Sequence, residues 1–371
     1  MRPVDEADLA HAISSADGPL RITGGGTRTL VHVAGTPLDT SGLTGMELYE
    51  PGAMTLVVRA GTPLAEVEAL LATENQRLAF EPPNFAPVLG RPGQSTIGGV
   101  VAANASGPRR LQAGACRDAM LGVRFVDGAG TIIKNGGRVM KNVTGYDLVK
   151  LLSGSNGTLG VLSEVSLKVL PTPEAEATLI FEGQTVSAAV DTLCDAMGTP
   201  FDVTGAAYVA AGKKTAIRVE GLSASVTYRQ AELQRGVAAG FEVLEGASSA
   251  ALWADIRDLA PFVGRTGDLW RASMKPTDAP GLIGALDDAG IGHDAILDWS
   301  GGLVSLLVTD GRRAGGELIR AHVAACGGHA TCLRGDHRAY PPQSPGVARL
   351  EAGLRARFDP RGILNPGLME A

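Results

Sequence analysis

The sequence is poor in aromatic residues, which form 4% of the chain, and it holds only four cysteines among 371 residues. Those cysteines, Cys116, Cys194, Cys326 and Cys332, match neither a disulfide framework nor the ligand spacing of an iron–sulfur cluster. No run approaches the roughly 18 uncharged apolar residues of a transmembrane helix, and the N-terminus lacks the pattern of a signal peptide. We therefore expect a reduced, cytoplasmic protein.

Positive charge is also scarce. The formal net charge is −6 and no basic stripe is present, which argues against nucleic acid as the main partner. A hydrophobic content of 44% with 19% charged residues is ordinary for a globular enzyme. No repeat of fixed period occurs. The chain is longer than the length at which a single hydrophobic core stops growing. These features predict two domains.

Glycine, by contrast, is abundant, with 50 residues, about twice the usual fraction. Three glycines in a row occur in "LRITGGGTRTL", residues 20–30. A Rossmann fingerprint needs a helix after its glycines, whereas "RTLVHVAGTP" follows here, with β-branched residues, a glycine and a proline. Taken alone, the stretch is either a tight turn or a loop whose N–H groups hold a phosphate.

A second glycine-rich stretch, "STIGGVVAANASGPRR", covers residues 95–110. Small residues let a backbone approach a ligand closely, and successive N–H groups then form an anion-binding nest. The alternative is a small-residue helix packed against another element. Two such segments, about seventy residues apart, favour a dinucleotide, because both phosphates must be held and the rings enclosed.

The remaining pattern mixes helices and strands. "TPLAEVEALLATENQ" has the apolar stripe of a helix, and "LGVRFV" with "TIIK" predicts a β-hairpin that turns at residues 127–130. "GYDLVKLL" predicts a short helix, and "VLSEVSLKVLP" alternates as a strand does. The order lacks the regular βαβ alternation of a doubly wound fold, so the predicted class is α+β.

The succession of these motifs resembles a known family. TGGGT, VRAGTPLAEVEALL, EPPN, STIGGVVAANASG, RDAMLGVRFVDGAGTI and KNVTGYDLVKLLSGSNGTLGVLSEVSLKVLP are similar, in this order, to the vanillyl-alcohol oxidase / p-cresol methylhydroxylase (PCMH) type of FAD-binding domain. The resemblance covers almost all of the first 170 residues. GPRR, DLWRASMKPTDAP, LDWSGG, GGHAT and FDPRGILNPGLM extend it to the C-terminus, toward the FAD-binding E-type subunits of bacterial glycolate oxidases.

The resemblance implies a domain organisation. Residues 1–172 are expected to form a two-subdomain PCMH-type FAD-binding domain, and residues 173–340 a short α+β cap domain on the substrate side. Residues 341–371 are expected to form a C-terminal helix and a tail that both pack on the FAD domain. That helix, "PGVARLEAGLRARF", places on one face the apolar residues Val347, Leu350, Leu354 and Phe358.

The resemblance also implies the cofactor and its site. FAD is expected to be held by the two glycine loops through backbone N–H groups, and by residues that line the flavin, fix the loops or meet the adenine end. The residues so implied are Thr23, Gly24, Gly25, Gly26, Thr27, Pro83, Ser95, Thr96, Ile97, Gly98, Gly99, Asn104, Gly107, Arg117, Asp118, Asn142, Tyr146, Gly157, Gly160 and Val161. For Asp118 and Asp147, capping of a loop is an equal alternative.

Many members of the family attach FAD covalently to a His, Cys or Tyr. His32 follows the first loop, but TGGGT itself contains no such residue. We therefore expect non-covalent FAD.

Catalytic residues are less clear from the sequence, which identifies no general base. Arg271 has the planar fork that binds carboxylates, with a structural ion pair as the alternative. Tyr146 is a second candidate, and Trp270 and Trp299 are expected in the core. "CGGHATCLRGDHR" suggests a metal site, but its spacing matches no common zinc pattern, so no metal is predicted.

The implied function is that of the FAD-binding subunit of a glycolate oxidase complex, which oxidises glycolate to glyoxylate. A second flavoprotein subunit and an iron–sulfur subunit are the implied partners, because this chain has no plausible cluster ligands, and they could hold the chain peripherally at the inner membrane. One alternative is a non-catalytic FAD-binding subunit for assembly or electron relay. The other is a stand-alone D-2-hydroxy acid dehydrogenase of the D-lactate type.

Overall fold

The computed structural model describes residues 1–28, 33–138 and 145–369 of the chain. Helices and strands are mixed along this length, with antiparallel sheets in both halves, so the predicted α+β class is confirmed. No helix in the described ranges is both long and apolar enough to cross a bilayer.

The first half of the chain carries short helices around a small sheet. Its helices are α1 (Glu6–Ser14), α2 (Leu64–Ala72), α3 (Ile97–Ala102), α4 (Arg110–Ala113), α5 (Cys116–Ala119) and α6 (Leu148–Leu152). Its strands are β1 (Leu20–Thr23), β2 (Thr36–Asp39), β3 (Met46–Glu50), β4 (Thr55–Arg59), β5 (Gln76–Arg77), β6 (Met120–Val126), β7 (Ile132–Gly136), β8 (Val161–Lys168) and β9 (Leu170–Pro171).

The sheet of this half has, among the described residues, five antiparallel strands in the order β3-β4-β8-β6-β7. β6 pairs directly with β7, so the predicted hairpin is confirmed. Helices α2 and α3 cover the sheet because their apolar residues are spaced for one face. The core they share with the strands contains Leu56, Val58, Val67, Leu71, Val100, Val101, Phe125 and Val165.

A second, smaller pairing brings the chain ends together. β1 and β2 run parallel, and the loop after β1 carries the three consecutive glycines of residues 24–26. The N–H of Leu20 donates to the carbonyl oxygen of Ile363 at 2.7 Å, and the N–H of Ile22 donates to Oδ1 of Asn365 at 2.7 Å. The C-terminal segment therefore lies against the strand that leads into the glycine loop.

The second half is built on a larger sheet. Its strands are β10 (Ala175–Glu182), β11 (Gly205–Val209), β12 (Lys214–Gly221), β13 (Glu242–Glu245), β14 (Asp268–Ser273), β15 (His293–Asp298), β16 (Leu303–Val308) and β17 (His329–Arg334). Its helices are α7 (Val186–Met197), α8 (Ser223–Arg235), α9 (Gly246–Asp258), α10 (Ala279–Asp288), α11 (Arg312–Ala325) and α12 (Pro345–Phe358). Within the described ranges the eight strands lie in the order β13-β10-β12-β11-β15-β16-β14-β17.

The two faces of this sheet have different neighbours. One face packs on α7, α10 and α11, and its core contains Trp270, Leu193, Leu282, Leu286, Leu306 and Ile319. The other face packs on α9 and on the segment around residues 85–88 from the first half. Its core contains Phe85, Val88, Trp253, Ile256, Leu269, Ile296 and Leu307. The second face is therefore the one that meets the first half of the chain.

Buried ion pairs cross this contact. Arg218 on β12 binds Glu81, and Glu220 on the same strand binds Arg77 and Arg109. Burial alone would raise the pKa of Glu220, but the guanidinium groups of Arg218, Arg109 and Arg77 outweigh it and lower that pKa to about 2. The carboxylates are therefore ionised, and they fix the larger sheet against the loops that follow β5 and α3. The domain limits at residues 172 and 340 stay predictions.

Helix α12 corrects one expectation about packing. Its apolar stripe exists, but Val347, Leu350 and Leu354 are 42%, 71% and 37% exposed. Only Phe358, at the end of that stripe, contacts a core ring, with its centroid 6.1 Å from that of Phe125. The 3.6-residue period identified a face without showing whether anything covers it.

Candidate cofactor and substrate site

A cleft runs along the loop that follows β1. With its open mouth included, about 920 Å³ of space lies between the residues that line it. The residues of the implied FAD site that line this cleft are Thr23, Gly24, Gly25, Gly26, Thr27, Thr96, Gly98, Gly99, Gly157, Gly160 and Val161. The structure thus brings together the two glycine loops and the segment before β8.

The two glycine loops are in direct contact, and the contact requires glycine. A Cβ on Gly25 would lie 1.4 Å from the carbonyl oxygen of Gln94, and one on Gly24 would lie 2.5 Å from Oγ1 of Thr96. Gly98 is equally confined, since its Cβ would lie 2.7 Å from the carbonyl oxygen of Ala60. The contacts of Gly25 and Gly98 are with backbone atoms that no rotamer change moves, so the loops leave no room for a side chain.

The first loop also presents free donors. Among the hydrogen bonds of the described residues, none is donated by the backbone N–H groups of Gly24, Gly25, Gly26 or Thr27. Buried or half-buried N–H groups nearly always find an acceptor. A run of such donors beside a cleft forms an anion-binding nest, which fits the diphosphate of a dinucleotide.

The second loop is held in place by its own hydrogen bonds. Oγ1 of Thr96 accepts from the N–H of Gly99 at 3.2 Å and caps α3. The N–H of Ile97 donates to the carbonyl oxygen of Thr62, and that of Gly98 donates to Ala60 at 2.7 Å. Ile97 itself is fully buried in the core, so its part in the site is to anchor the loop.

The far end of the cleft is formed by the segment before β8 and by the C-terminal tail. Gly157 has φ of +75°, and Nδ2 of Asn365 donates to the carbonyl oxygen of Asn156 at 2.9 Å. Tyr340 and Leu368 complete this end. Burial raises the pKa of Tyr340 to about 12, so its phenol is protonated at neutral pH.

Several implied residues lie outside the cleft lining. Oδ1 of Asn104 accepts from the N–H of Arg117 at 3.0 Å, and Oδ2 of Asp118 accepts from the N–H of Ala115 at 3.0 Å. Asp147 caps α6 through the N–H of Lys150. Both aspartates therefore make a capping hydrogen bond, and the contact of Asp118 with FAD stays a prediction.

Tyr146 is 88% exposed, and the structure does not bring its ring to the cleft. Asn142 and His32 lie outside the described residues. The roles of these three residues stay predictions.

A second group of polar residues gathers on the larger sheet. Strand register sets Arg271 opposite Thr331 and Ser305, and it sets Ser273 opposite His329 and Leu303. Leu303 in turn pairs with Asp298. Directly paired residues share a face, so one end of an otherwise apolar face is polar. We call this group the polar corner, and its members are Arg271, Ser273, Asp298, Ser305, His329 and Thr331.

Arg271 lies at the centre of the polar corner and faces the first half of the chain. Its guanidinium carbon lies 5.3 Å from the ring centre of Phe85 and 5.9 Å from that of Trp299. Aromatic rings stabilise the cation but accept no strong hydrogen bond. Its Nε is buried without a hydrogen-bond partner, and burial lowers the pKa of Arg271 to about 10.

Two more arginines lie close by. The guanidinium of Arg110 stacks 4.5 Å from the ring centre of Trp299. Arg28 donates to Oγ of Ser95 at 2.5 Å and to the carbonyl oxygen of Pro83, and its guanidinium carbon lies 6.0 Å from Phe85. Burial lowers the pKa of Arg28 to about 10, and the nearby charge of Arg271 acts in the same direction.

None of these three guanidinium groups is within ion-pair distance of a carboxylate of the described residues. Cations that lie beside apolar rings and lack an ion-pair partner are costly unless an anion is bound there. The arrangement can therefore bind a small carboxylate.

Asp298 and His329 are the titratable groups at the edges of the polar corner. Asp298 shares a small cavity with Arg271 and Ser305, and its Oδ1 accepts from the N–H of Trp299 at 2.7 Å. Burial raises the pKa of Asp298 to about 7. His329 is exposed at its rim, and its partial burial, Arg110 and Arg271 all lower its pKa below the usual value.

The suspected metal cluster is not assembled in the described part of the chain, where no three His, Cys, Asp or Glu side chains are placed to hold an ion. Cys332 and His337 lie on the other side of the sheet, with the ring of His337 5.0 Å from that of Trp270.

Sequence reasoning missed four residues of this region. Arg28 directly follows the first glycine loop and Arg110 ends the second glycine-rich stretch, positions that could have drawn attention to them. Trp299 was expected in the core, which is wrong, because its ring is only partly buried and lies against Arg110. Asp298 had no local signal, since its place depends on strand pairing far along the chain.

The chain is similar to several known proteins. Residues 1–136 match the family model described as "FAD binding domain". The chain is 35% identical over 356 residues to "Glycolate oxidase subunit GlcE" of Escherichia coli (strain K12), which covers 95% of this chain and 93% of that protein. It is 34% identical over 158 residues to "Glycolate oxidase subunit GlcD" of Bacillus subtilis (strain 168), which covers 43% of this chain and 30% of that protein. Among solved structures, an alkyldihydroxyacetonephosphate synthase superposes with a TM-score of 0.71 at 16% identity, covering 99% of this chain and 76% of that one, a likeness of fold.

Proposed function

The chain belongs to the GlcE family of glycolate oxidase subunits and its cofactor is FAD, and from this premise we propose that it binds glycolate, or another short 2-hydroxy acid, at Arg271 and oxidises it to the 2-oxo acid. The motif resemblance found in the sequence is thereby confirmed at the level of the family. The substrate and its position are the proposal.

The residues present fit FAD. The free N–H groups of residues 24–27 suit its diphosphate, and the glycine contacts with Gln94 and Thr96 leave no room for a side chain in their place. When bound, FAD supplies the electron acceptance that the side chains of this protein lack. The chain contributes the walls, the hydrogen-bond donors and the charges that hold FAD and the acid in place.

We propose that the FAD is non-covalent. Tyr340 is the phenol that lines the described cleft, and its raised pKa keeps it protonated and weakly nucleophilic at neutral pH. The first glycine loop, Thr23 to Thr27, contains no His, Cys or Tyr. His32 remains the one anchor that the sequence suggests, and the prediction is tested below.

The observation that carries the substrate proposal is Arg271, a guanidinium beside two aromatic rings with a buried Nε that has no partner. A 2-hydroxy acid carries one carboxylate, and arginine binds carboxylates through two parallel N–H bonds. Arg110 and Arg28 add positive charge on the same side. Phe85 and Trp299 exclude water from the guanidinium, which strengthens each hydrogen bond to it.

We propose that the electrons leave through an iron–sulfur partner and that a second flavoprotein subunit completes the complex. The support is that the relative from Escherichia coli is itself named a subunit. In addition, Cys116 and Cys332 of this chain are buried and belong to different cores. Its four cysteines are therefore not placed to ligate a cluster.

The test compares Arg271→Met and Arg271→Lys with Arg313→Met, a control at a side chain that is 92% exposed. The bound flavin is quantified first by visible absorbance, and then the binding of acetate, an unreactive carboxylate, is measured by calorimetry. We expect Arg271→Met to keep its flavin and to bind acetate at least about tenfold more weakly, as the loss of a charged hydrogen bond predicts. Unchanged acetate affinity in Arg271→Met would place the substrate elsewhere.

A further inference from the structure

The turn after β15 has an unusual backbone. Trp299, Ser300 and Gly301 have φ values of +53°, +61° and +103°, three consecutive residues in the left-handed region. Only glycine adopts that region without steric cost, so the conformation of Trp299 and Ser300 is imposed by their surroundings. Strain of this kind concentrates at functional sites and persists where packing determines it.

Hydrogen bonds and close packing hold the backbone of this turn in its left-handed conformation. Oδ1 of Asp298 accepts from the N–H of Trp299 at 2.7 Å, and the N–H of Gly302 donates to the carbonyl oxygen of Trp299 at 2.9 Å. A Cβ on Gly301 would lie 3.1 Å from the carbonyl oxygen of Pro276, so the turn is closely packed there. The backbone of Trp299 is therefore held in one position.

The indole ring is held as well. Nε1 of Trp299 donates to the carbonyl oxygen of Gly107 at 3.0 Å, a bond that joins the larger sheet to the second glycine-rich stretch. The same ring lies 4.5 Å from the guanidinium carbon of Arg110 and 5.9 Å from that of Arg271. A fixed aromatic ring thus stands beside both cations of the proposed carboxylate site.

We infer that Trp299 limits the length of the acid that this site accepts. The inference rests on the proposed function of Arg271. A carboxylate bound to Arg271 or Arg110 has the indole within contact range, so the carbons attached to it meet the ring. Because the Gly107 bond and the turn prevent the ring from moving aside, two-carbon acids fit and longer acids collide.

The test measures binding to the FAD-loaded protein, without turnover, for the unreactive carboxylates acetate, butanoate and hexanoate. The variants are Trp299→Ala, Trp299→Leu and Trp299→Phe. The control is Tyr228→Ala, which removes a ring that is 60% exposed away from the polar corner. Affinities come from calorimetry, and flavin absorbance confirms that each variant is folded and loaded.

We expect the wild-type protein and Tyr228→Ala to bind hexanoate at least tenfold more weakly than acetate. In Trp299→Ala the ratio of acetate affinity to hexanoate affinity should fall by tenfold or more, because removing the ring opens space for the carbon chain of the acid. Trp299→Phe should keep most of the ratio, since a ring remains. Trp299→Leu should lie between them, and it decides the question if the alanine variant loses its flavin.

The inference would be overturned if Trp299→Ala had the same ratio of acetate affinity to hexanoate affinity as the wild type, and the proposed function would stay intact. Where the alanine variant is unstable, Trp299→Leu gives the same test. Wild-type protein that binds no carboxylate of the series would instead remove the proposed function, and this inference with it.

Discussion

Arg218 and Glu81, 137 residues apart in the chain, form a bidentate ion pair in which Nη1 donates to Oε1 at 3.0 Å and Nη2 donates to Oε2 at 2.8 Å. The side chain of Arg218 is 1% exposed, and its guanidinium stacks 4.5 Å from the ring of Trp253. Glu81 lies in the loop after β5 and Arg218 on the larger sheet, so this pair fixes the surface on which Arg271 faces the first half of the chain.

Removing the charge of Glu81 should therefore be costly. Glu81→Gln leaves the guanidinium groups of Arg77, Arg109 and Arg218 around the carboxylate of Glu220 without the charge of Glu81. We expect the free energy of unfolding to fall by about 3 kcal/mol, as for other broken buried pairs. Urea unfolding at pH 7 measures it, with Glu182→Gln as the control, because the Glu182–Lys214 pair is exposed and should be worth less than about 1 kcal/mol.

The same pair predicts a pH dependence. Burial alone would raise the pKa of Glu81, but Arg218 and Arg109 outweigh it and hold that pKa below its usual value of 4.5. Stability from a lowered carboxylate pKa is present above about 4.5 and is lost as the pH falls through the folded-state value. The difference in stability between wild type and Glu81→Gln should therefore shrink below about pH 4.5, and a constant difference down to pH 3 would contradict the ion-pair account.

Contact between the glycine loops gives a prediction about cofactor retention. Gly25→Ala should abolish stoichiometric FAD binding, because its Cβ would lie 1.4 Å from the carbonyl oxygen of Gln94. The ratio of flavin to protein absorbance after purification measures retention. Gly18→Ala is the control, since no atom lies within 4 Å of its added Cβ. Full flavin content in Gly25→Ala would contradict the loop geometry.

Asp298 should titrate near neutrality, in the opposite sense to Glu81. Burial raises its pKa from 3.8 to about 7, against the N–H of Trp299 and the charges of Arg218 and Arg271. Between these two values the folded state binds the extra proton, so wild-type stability should fall relative to Asp298→Asn as the pH rises, by up to about 1.4 kcal/mol per pH unit.

Urea unfolding of wild type and Asp298→Asn from pH 5 to 8 measures this effect, and the exposed Asp17→Asn serves as the control. The free energy of unfolding of the wild type should fall increasingly below that of Asp298→Asn up to about pH 7, and the difference should then level off. A difference that is the same at pH 5 and pH 8 would show that Asp298 does not change charge in this range.

Non-covalent attachment is tested by acid precipitation of the holoprotein. The yellow flavin should remain in the supernatant, because Tyr340 is protonated at neutral pH and the loop from Thr23 to Thr27 has no suitable nucleophile. Flavin that stays with the pellet would contradict this prediction. Repeating the experiment with His32→Ala would then show whether His32 is the anchor.

Local chemistry was predictable from the sequence where it depends on neighbours in the chain. The hairpin of β6 and β7 followed from alternating apolar residues and a glycine-containing turn. Capping was one of two equal alternatives for Asp118 and Asp147, and both side chains make a capping hydrogen bond. The glycine loops were recognised because the order of several motifs is more specific than any one of them.

The polar corner could not be predicted in that way. It depends on the register of β14 with β16 and β17, and of β16 with β15, which brings Asp298, Arg271 and His329 to one face. Trp299 was expected in the core because large aromatic residues usually are buried, whereas a strained turn holds it beside Arg110. The two adjacent arginines of GPRR have different partners, since Arg109 binds Glu220 and Arg110 stacks on Trp299.

The assignment of both the flavin and the acid to this chain is tested by its visible absorption spectrum, recorded on the purified protein before and after anaerobic addition of glycolate. We expect a flavin spectrum that bleaches with the wild-type chain and bleaches far more slowly with Arg271→Met at equal flavin content. A flavin that stays oxidised until a partner flavoprotein is added would contradict the assignment of the substrate to Arg271 and place it on the partner. A chain that takes up no flavin, even after incubation with FAD, would contradict the role given to both glycine loops.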